Sequence, residues 1–311
     1  MTIELQQPVS PPPERTAGTP ADMALAAIQA LRPKQWVKNA LLWAAPVFSM
    51  RFLDPAIWPK VIAATLCFCF LSSAGYLFND ARDVESDRKH PKKSKRPIAA
   101  GRLSVAAAHV EMVVVFLVGA ALGLWVGPAF LAVALLYFAT TMIYSLRFKH
   151  VVILDVMFLA SGFVWRAAAG AVAIDVKISS WLLLCTAFLA LFLGFNKRRG
   201  EIALLGGNDG GTRKSLSAYS PALVLEFQSI TTSGAIISYA LYTVTASPTP
   251  WLLLTLPYVL YGIFRYIYLV QGGEGGAPDE TLFKDKPLLV TCVLYAITAP
   301  AILLVTHGLS H

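Results

Sequence analysis

Charge is what this sequence has least of. Asp, Glu, Lys and Arg make up 14% of its 311 residues, against roughly 25% in a soluble globular domain, and the mean hydropathy is +0.61. A soluble monomer could not bury the 56% of residues that are apolar, so a soluble enzyme is excluded and the chain reads as integral to a lipid bilayer. Cysteine is scarce as well. Cys67, Cys69, Cys185 and Cys292 lie within apolar runs, with no Cys-x-x-Cys pair and no histidine at metal spacing. That excludes a disulfide scaffold and a thiolate metal site, leaving packing residues. The segment from Thr2 to Pro20 is polar and Pro-rich and lacks the apolar core of a cleavable signal peptide. Residues 1–30 are therefore expected to form a disordered cytoplasmic tail, with one membrane domain over 31–311. No repeat of about 20–50 residues is evident.

The charge that is present is mostly positive, 26 Lys+Arg against 18 Asp+Glu. Those cations are scattered between apolar runs, so nucleic acid is not an expected partner, whereas anionic lipid and phosphate are. Apolar runs of spanning length fall near 37–50, 58–78, 103–126, 130–146, 151–174, 179–195, 221–246, 251–270 and 287–306. The fold class expected is all-α and polytopic, with about nine transmembrane helices. With nine spans, 21 of the 26 Lys and Arg residues fall on one side, which makes the N-terminus and the long loops cytoplasmic and the C-terminus external.

At the end of the second run stands Asn79-Asp80-Ala81-Arg82-Asp83-Val84-Glu85-Ser86-Asp87. On a continuing helix Asn79, Asp83, Asp87 and Asp80 fall at about 0°, 40°, 80° and 100°, one face, while Glu85 points elsewhere. Close carboxylates repel unless a cation sits among them, and hard oxygen ligands suit Mg²⁺, which keeps waters and bridges to substrate phosphates. The bland alternative is a solvated helix end balancing the basic run that follows. Other polar residues gather at the same membrane face: Lys34, Lys38 and Asn39 at the first span, Tyr144 at the fourth, Asp155 at the fifth, and Asn196 and Lys197 at the sixth. Arg166 lies well inside the fifth run, on nearly the same azimuth as Asp155. It requires either a polar, cytoplasm-facing cavity or a buried pair that only fixes packing.

The acidic motif, followed by Arg96-Pro97-Ile98-Ala99-Ala100-Gly101-Arg102-Leu103-Ser104 and the run of spans, resembles the UbiA superfamily of intramembrane prenyltransferases over nearly the whole chain after Leu31. The resemblance implies a helix bundle around a central cavity, with Asn79, Asp83 and Asp87 as metal-site residues, Asp80 beside them, and Mg²⁺ holding a diphosphate. Typical members carry a second Asp-x-x-x-Asp motif after the sixth span, where this sequence reads Asn196-Lys197-Arg198-Arg199-Gly200-Glu201. With Arg32-Pro33-Lys34-Gln35-Trp36-Val37-Lys38-Asn39 and Tyr144-Ser145-Leu146-Arg147-Phe148-Lys149, it looks like the branch that transfers 5-phosphoribose from phosphoribosyl diphosphate (PRPP) to decaprenyl phosphate for cell-wall arabinan. That implies a multi-pass enzyme of the cell membrane, for which Asp80, Asp83 and Asp87 are the expected catalytic residues. Lys34, Lys38, Asn39, Tyr144, Lys149, Asp155, Arg166, Asn196, Lys197, Arg198, Arg199 and Glu201 would bind substrate, the Lys197-Arg198-Arg199 cluster facing the motif. A homo-oligomer is compatible with such a bundle. The rival readings are a prenyltransferase acting on an aromatic acceptor and a transporter of anionic lipid or metabolite; no inverted repeat supports the latter.

Overall fold

The computed structural model describes residues 19–90, 92–205, 216, 218–273 and 278–309. The tail before residue 19, the loop 206–211, Arg213, Lys214 and His311 lie outside the described residues. Within them the architecture is all-helical: α1 (Pro20–Ala30), a 3₁₀ segment (Pro33–Trp43), α2 (Ala44–Phe48), α3 (Trp58–Arg82), α4 (Val84–Lys89), α5 (Val105–Val126), α6 (Pro128–Leu146), α7 (Leu154–Ala173), α8 (Ser180–Leu205), α9 (Pro221–Thr245), α10 (Leu256–Gln271), α11 (Pro278–Lys284) and α12 (Lys286–Leu309).

Seven helical stretches are long and apolar enough to cross a bilayer. They contain α3, α5, α6, α7, most of α8, α10 and most of α12. The other two expected spans take different forms. Helix α9 has the length, 25 residues or about 37 Å at 1.5 Å per residue, but Glu226, Gln228, Ser229, Thr231 and Thr232 make it more polar. The expected span at 37–50 is no regular α-helix. Eleven residues are wound as 3₁₀ and five as α, and the 3₁₀ rise of about 2.0 Å per residue stretches that short segment over about 22 Å. The segment expected to be an unstructured tail is helical over its last eleven residues. Thr19 and Asp22 form a reciprocal capping box at the start of α1, and Ala26 and Ala30 are buried beside Leu77, Ala81 and Leu103.

Helix α3 is the axis of the molecule: 67% of its apolar window is buried, against 17% for α5. Small residues make this packing close. A Cβ on Gly119 of α5 would meet the Leu71 side chain of α3 at 3.2 Å, and one on Gly170 of α7 would lie 2.1 Å from the Leu42 carbonyl oxygen. Only glycine at 170 lets the 3₁₀ backbone lie against α7. The same segment is pinned to α3 by Trp36 Nε1 donating to Ser73 Oγ (3.1 Å), whose hydroxyl donates to the Leu31 carbonyl (2.8 Å). Cys67 is buried in the core around α3, and Cys69 faces Asn39, as packing residues do.

Candidate active site

Helix α3 delivers Asn79 and Asp80 at its last turn, and the chain leaves helical geometry at Asp83 alone (φ −92°, ψ 12°) before α4 resumes. Because the Asp87 N–H still donates to the Asp83 carbonyl (2.8 Å), the acidic residues keep the spacing of one turn. Each carboxylate is met by cations from other elements. Arg32 Nη2 donates to both oxygens of Asp80 at 2.6 Å. Arg96 Nη1 bridges Asp80 Oδ1 (2.9 Å) and Asp87 Oδ2 (2.6 Å), with Lys93 Nζ 3.9 Å from Asp87 Oδ1. Lys149 pairs with Asp83. Asp80 and Asp87 are buried and Asp83 is 23% exposed. The Asn79 side chain makes no hydrogen bond to a described residue.

Local backbone explains the two arginines. Arg32 is in the left-handed region (φ 55°), a turn that joins α1 to the Pro33 segment and leaves the guanidinium directed at α3. Arg96 is extended after a short 3₁₀ turn and is followed by Pro97, whose carbonyl accepts from the N–H groups of Arg102 and Leu103. The loop is further held by His90, whose Nδ1 accepts from the Lys92 and Lys93 N–H groups (3.1 and 3.3 Å). Burial, aided by Lys93, pulls His90 below the usual histidine range, which keeps that acceptor neutral.

The three carboxylates do not converge on a common point: no group of three or more His, Cys, Asp or Glu side chains among the described residues could hold a metal. The donor set nevertheless fits Mg²⁺, which takes one or two protein carboxylates and completes its shell with waters and substrate phosphate. Asp83 and Asp87, with the Asn79 amide, are the residues that would hold it.

Around α8 the expectation of one cationic cluster gives way to three separate directions, since successive helical residues are 100° apart. Arg198, 1% exposed, donates through Nε to Asp155 Oδ2 (2.7 Å) and pairs with Glu201. Arg199 reaches Gln228 on α9 (3.2 Å), and Lys197 is half-buried. Both Asp155 oxygens are occupied, because Tyr219 donates its hydroxyl to Oδ1 at 2.7 Å while accepting from the Ile153 N–H at 2.7 Å. Burial and that carboxylate push the Tyr219 phenol above its usual range. Asp155 is therefore a partner for Arg198 rather than an open ligand. Arg198 Nη2 and Asn196 Oδ1 are buried with no hydrogen-bond partner among the described residues.

Arg166 belongs to a third group. Its Nε donates to Asn39 Oδ1 and its Nη2 to Tyr137 (both 2.8 Å), its guanidinium lies over the Tyr137 and Phe163 rings, and Asn39 Nδ2 contacts Cys69 Sγ (3.2 Å). Eleven residues along α7 put it about 16 Å from Asp155, so it ties α6, α7 and the 3₁₀ segment together well below the acidic motif. Lys34 is exposed, Tyr144 half-buried, and Lys38 bonds Gln35. Arg32, Lys93, Arg96 and Tyr219 escape a reading of the sequence for site residues. The signal for two of them is the pair of Arg-Pro dipeptides flanking α3.

Residues 40–285 match the model of the UbiA prenyltransferase family. The chain belongs to that family. Among similar proteins, a decaprenyl-phosphate phosphoribosyltransferase of Corynebacterium glutamicum is 39% identical over 89% of this chain and 86% of its own length. A protein of the same description from Mycolicibacterium smegmatis is 34% identical over 88% and 91%. A UbiA homolog from Archaeoglobus fulgidus, solved bound to GPP and Mg²⁺, superposes with a TM-score of 0.72 at 18% identity, over 89% of this chain and 99% of that one. It bears out the all-α fold expected of a UbiA-family chain.

Proposed function

We propose that this UbiA-family enzyme transfers 5-phosphoribose from PRPP to decaprenyl phosphate, releasing pyrophosphate, at the cytoplasmic face of the cell membrane. The observation that carries the reading is the distribution of charge. One acidic motif is faced by cations from three other segments, and the place of a second acidic motif holds Lys197, Arg198 and Arg199 rather than carboxylates. A prenyl diphosphate offers only hydrocarbon beyond its phosphates, whereas PRPP carries a further 5-phosphate that additional cations at this face can meet. The high similarity to proteins described as decaprenyl-phosphate phosphoribosyltransferases supports the same donor and acceptor.

The acceptor needs little activation, since a lipid phosphate is already anionic at neutral pH. No general base is required, and His90 Nδ1 is engaged by backbone N–H groups. The demanding step is breaking the bond between ribose C1 and the pyrophosphate as C1 becomes oxocarbenium-like. Arg32, Lys93, Arg96 and Lys149 lie where they can bind the phosphates and stabilise the departing charge. Bound Mg²⁺ supplies Lewis-acid neutralisation of that charge. Attack by the lipid phosphate oxygen opposite the leaving group inverts C1 and gives a β-linked product. Asp155, through Arg198, positions α8 against α7.

The test is purified protein in detergent, given labelled PRPP with a panel of polyprenyl phosphates and, separately, prenyl diphosphates with aromatic acceptors. Label from PRPP in a lipid fraction is the expected result; prenylation of an aromatic acceptor with no transfer from PRPP would overturn it. For orientation, cysteine at Lys93 is expected to react with an impermeant reagent only from the cytoplasmic side.

A further inference from the structure

We propose that the acidic motif is held closed by its own basic residues, and that it accepts a divalent cation only together with a diphosphate. This rests on reading the motif as the donor-diphosphate site. Asp80 and Asp87 are 3% and 2% exposed, and one nitrogen of Arg96 spans both, so a cation cannot reach either carboxylate on that side until the guanidinium leaves. Arg32 occupies both oxygens of Asp80, and Lys149 covers Asp83.

Counting charges gives the direction of the coupling. Asp80, Asp83 and Asp87 face Arg32, Lys93, Arg96 and Lys149, a net of +1. A divalent cation alone would raise a largely desolvated layer to +3, which is costly where the effective dielectric is low. The donor's fully ionised diphosphate, a monoester of charge about −3, brings about −1 instead when it carries the same cation. It offers the guanidinium and ammonium groups oxygens of the kind that arginine binds best, releasing the carboxylates to the metal. Each ion exchanges one opposite charge for another, with none left unpaired. Metal and diphosphate then bind cooperatively, and the cooperativity is reciprocal.

Arg96 is the residue that makes the prediction distinctive. Replacing it should open the carboxylates to metal while weakening the hold on diphosphate, two affinities moving in opposite directions. A merely structural role would weaken both. The experiment is equilibrium dialysis of the full-length protein in detergent with radioactive Mn²⁺, with and without inorganic pyrophosphate, and separately with labelled pyrophosphate, for the wild type, Arg96→Gln, Arg96→Lys and Lys149→Gln. Wild-type Mn²⁺ binding is expected to tighten about tenfold or more with pyrophosphate. Arg96→Gln should bind Mn²⁺ alone about tenfold tighter than the wild type, with the enhancement by pyrophosphate reduced, and Arg96→Lys should stay near the wild type. Lys149→Gln gives the same readout at Asp83 if Arg96→Gln does not yield monodisperse protein. Tight wild-type Mn²⁺ binding indifferent to pyrophosphate, or weaker Mn²⁺ binding in folded Arg96→Gln, would overturn the proposal. Absence of both Mn²⁺ and pyrophosphate binding from every protein would overturn the reading of the motif itself, and the proposal with it.

Discussion

The ends of α3 and α8 carry the same kinds of ion in opposite arrangement. At α3, carboxylates are enclosed by cations drawn from loops and segment starts, and Arg32 and Arg96 remain about a quarter exposed (24% and 25%). At α8, one cation is enclosed by carboxylates, and Arg198 and Asp155 are 1% and 0% exposed. Cations that still touch solvent can change partners when a ligand arrives. A guanidinium sealed against a sealed carboxylate cannot, because separating them would leave both charges buried and unpaired. The first arrangement is suited to chemistry and the second to holding α7 and α8 in register.

The largest effect expected from breaking this contrast is at the sealed end. Asp155→Asn leaves Arg198 buried with only Glu201 as a charged partner among the described residues, and should cost about 3–5 kcal/mol of stability, read as a lowered melting temperature in detergent. At the exchangeable end, Asp87→Asn or Asp83→Asn should leave melting nearly unchanged and lower phosphoribosyl transfer by about 10²–10³-fold, read as labelled lipid product. A fall in activity explained by loss of folded protein would erase the distinction. Smaller is Tyr219→Phe, which strands the Ile153 N–H and removes one of the Asp155 partners, at about 1–3 kcal/mol.

The smallest effects are pH signatures, and they lie at opposite ends of the scale. Tyr219 titrates above its unfolded value because of burial and then Asp155. Its contribution to stability is therefore whole below about pH 10 and is lost as pH rises through the folded value. His90 titrates below its unfolded value because of burial and then Lys93. Its contribution is whole above about pH 6.5 and is lost as pH falls through the folded value. Melting temperature followed across pH should lose the alkaline limb in Tyr219→Phe and part of the acid limb in His90→Asn.

Helical spans were legible because apolar runs of about 20 residues have few other uses. The acidic motif was legible because rotation by 100° per residue places Asp80 and Asp87 close in azimuth, and a single arginine nitrogen does span the two. What could not be read was which cations serve it. Arg32 lies 48 residues from Asp80 in sequence and Lys149 lies 66 from Asp83, and although Lys149 was expected to bind substrate, nothing in the sequence pairs either cation with its carboxylate. The Lys197-Arg198-Arg199 run failed for the opposite reason. Adjacency in sequence suggested a cluster, while helical rotation turns Arg198 to Asp155 and Arg199 to Gln228. The 3₁₀ winding of the first segment left no pattern, since hydropathy does not distinguish a tighter coil from an ordinary one.

That winding has a mechanical consequence. The segment Pro33–Trp43 is fastened at depth by Asn39 to Arg166 and by Gly170 against Leu42, and is held nearer its start by Trp36 to Ser73, with Arg32 just before it. Rewinding residues 33–38 from about 2.0 to about 1.5 Å per residue would shorten the stretch above Asn39 by about 3 Å, comparable to the 2.6 Å contact between Arg32 and Asp80. Arg32 thus sits at the tip of an extended spring whose other end is bolted to the bundle, and a change of coil there would have to break the Trp36–Ser73 and Ser73–Leu31 hydrogen bonds to withdraw the guanidinium axially.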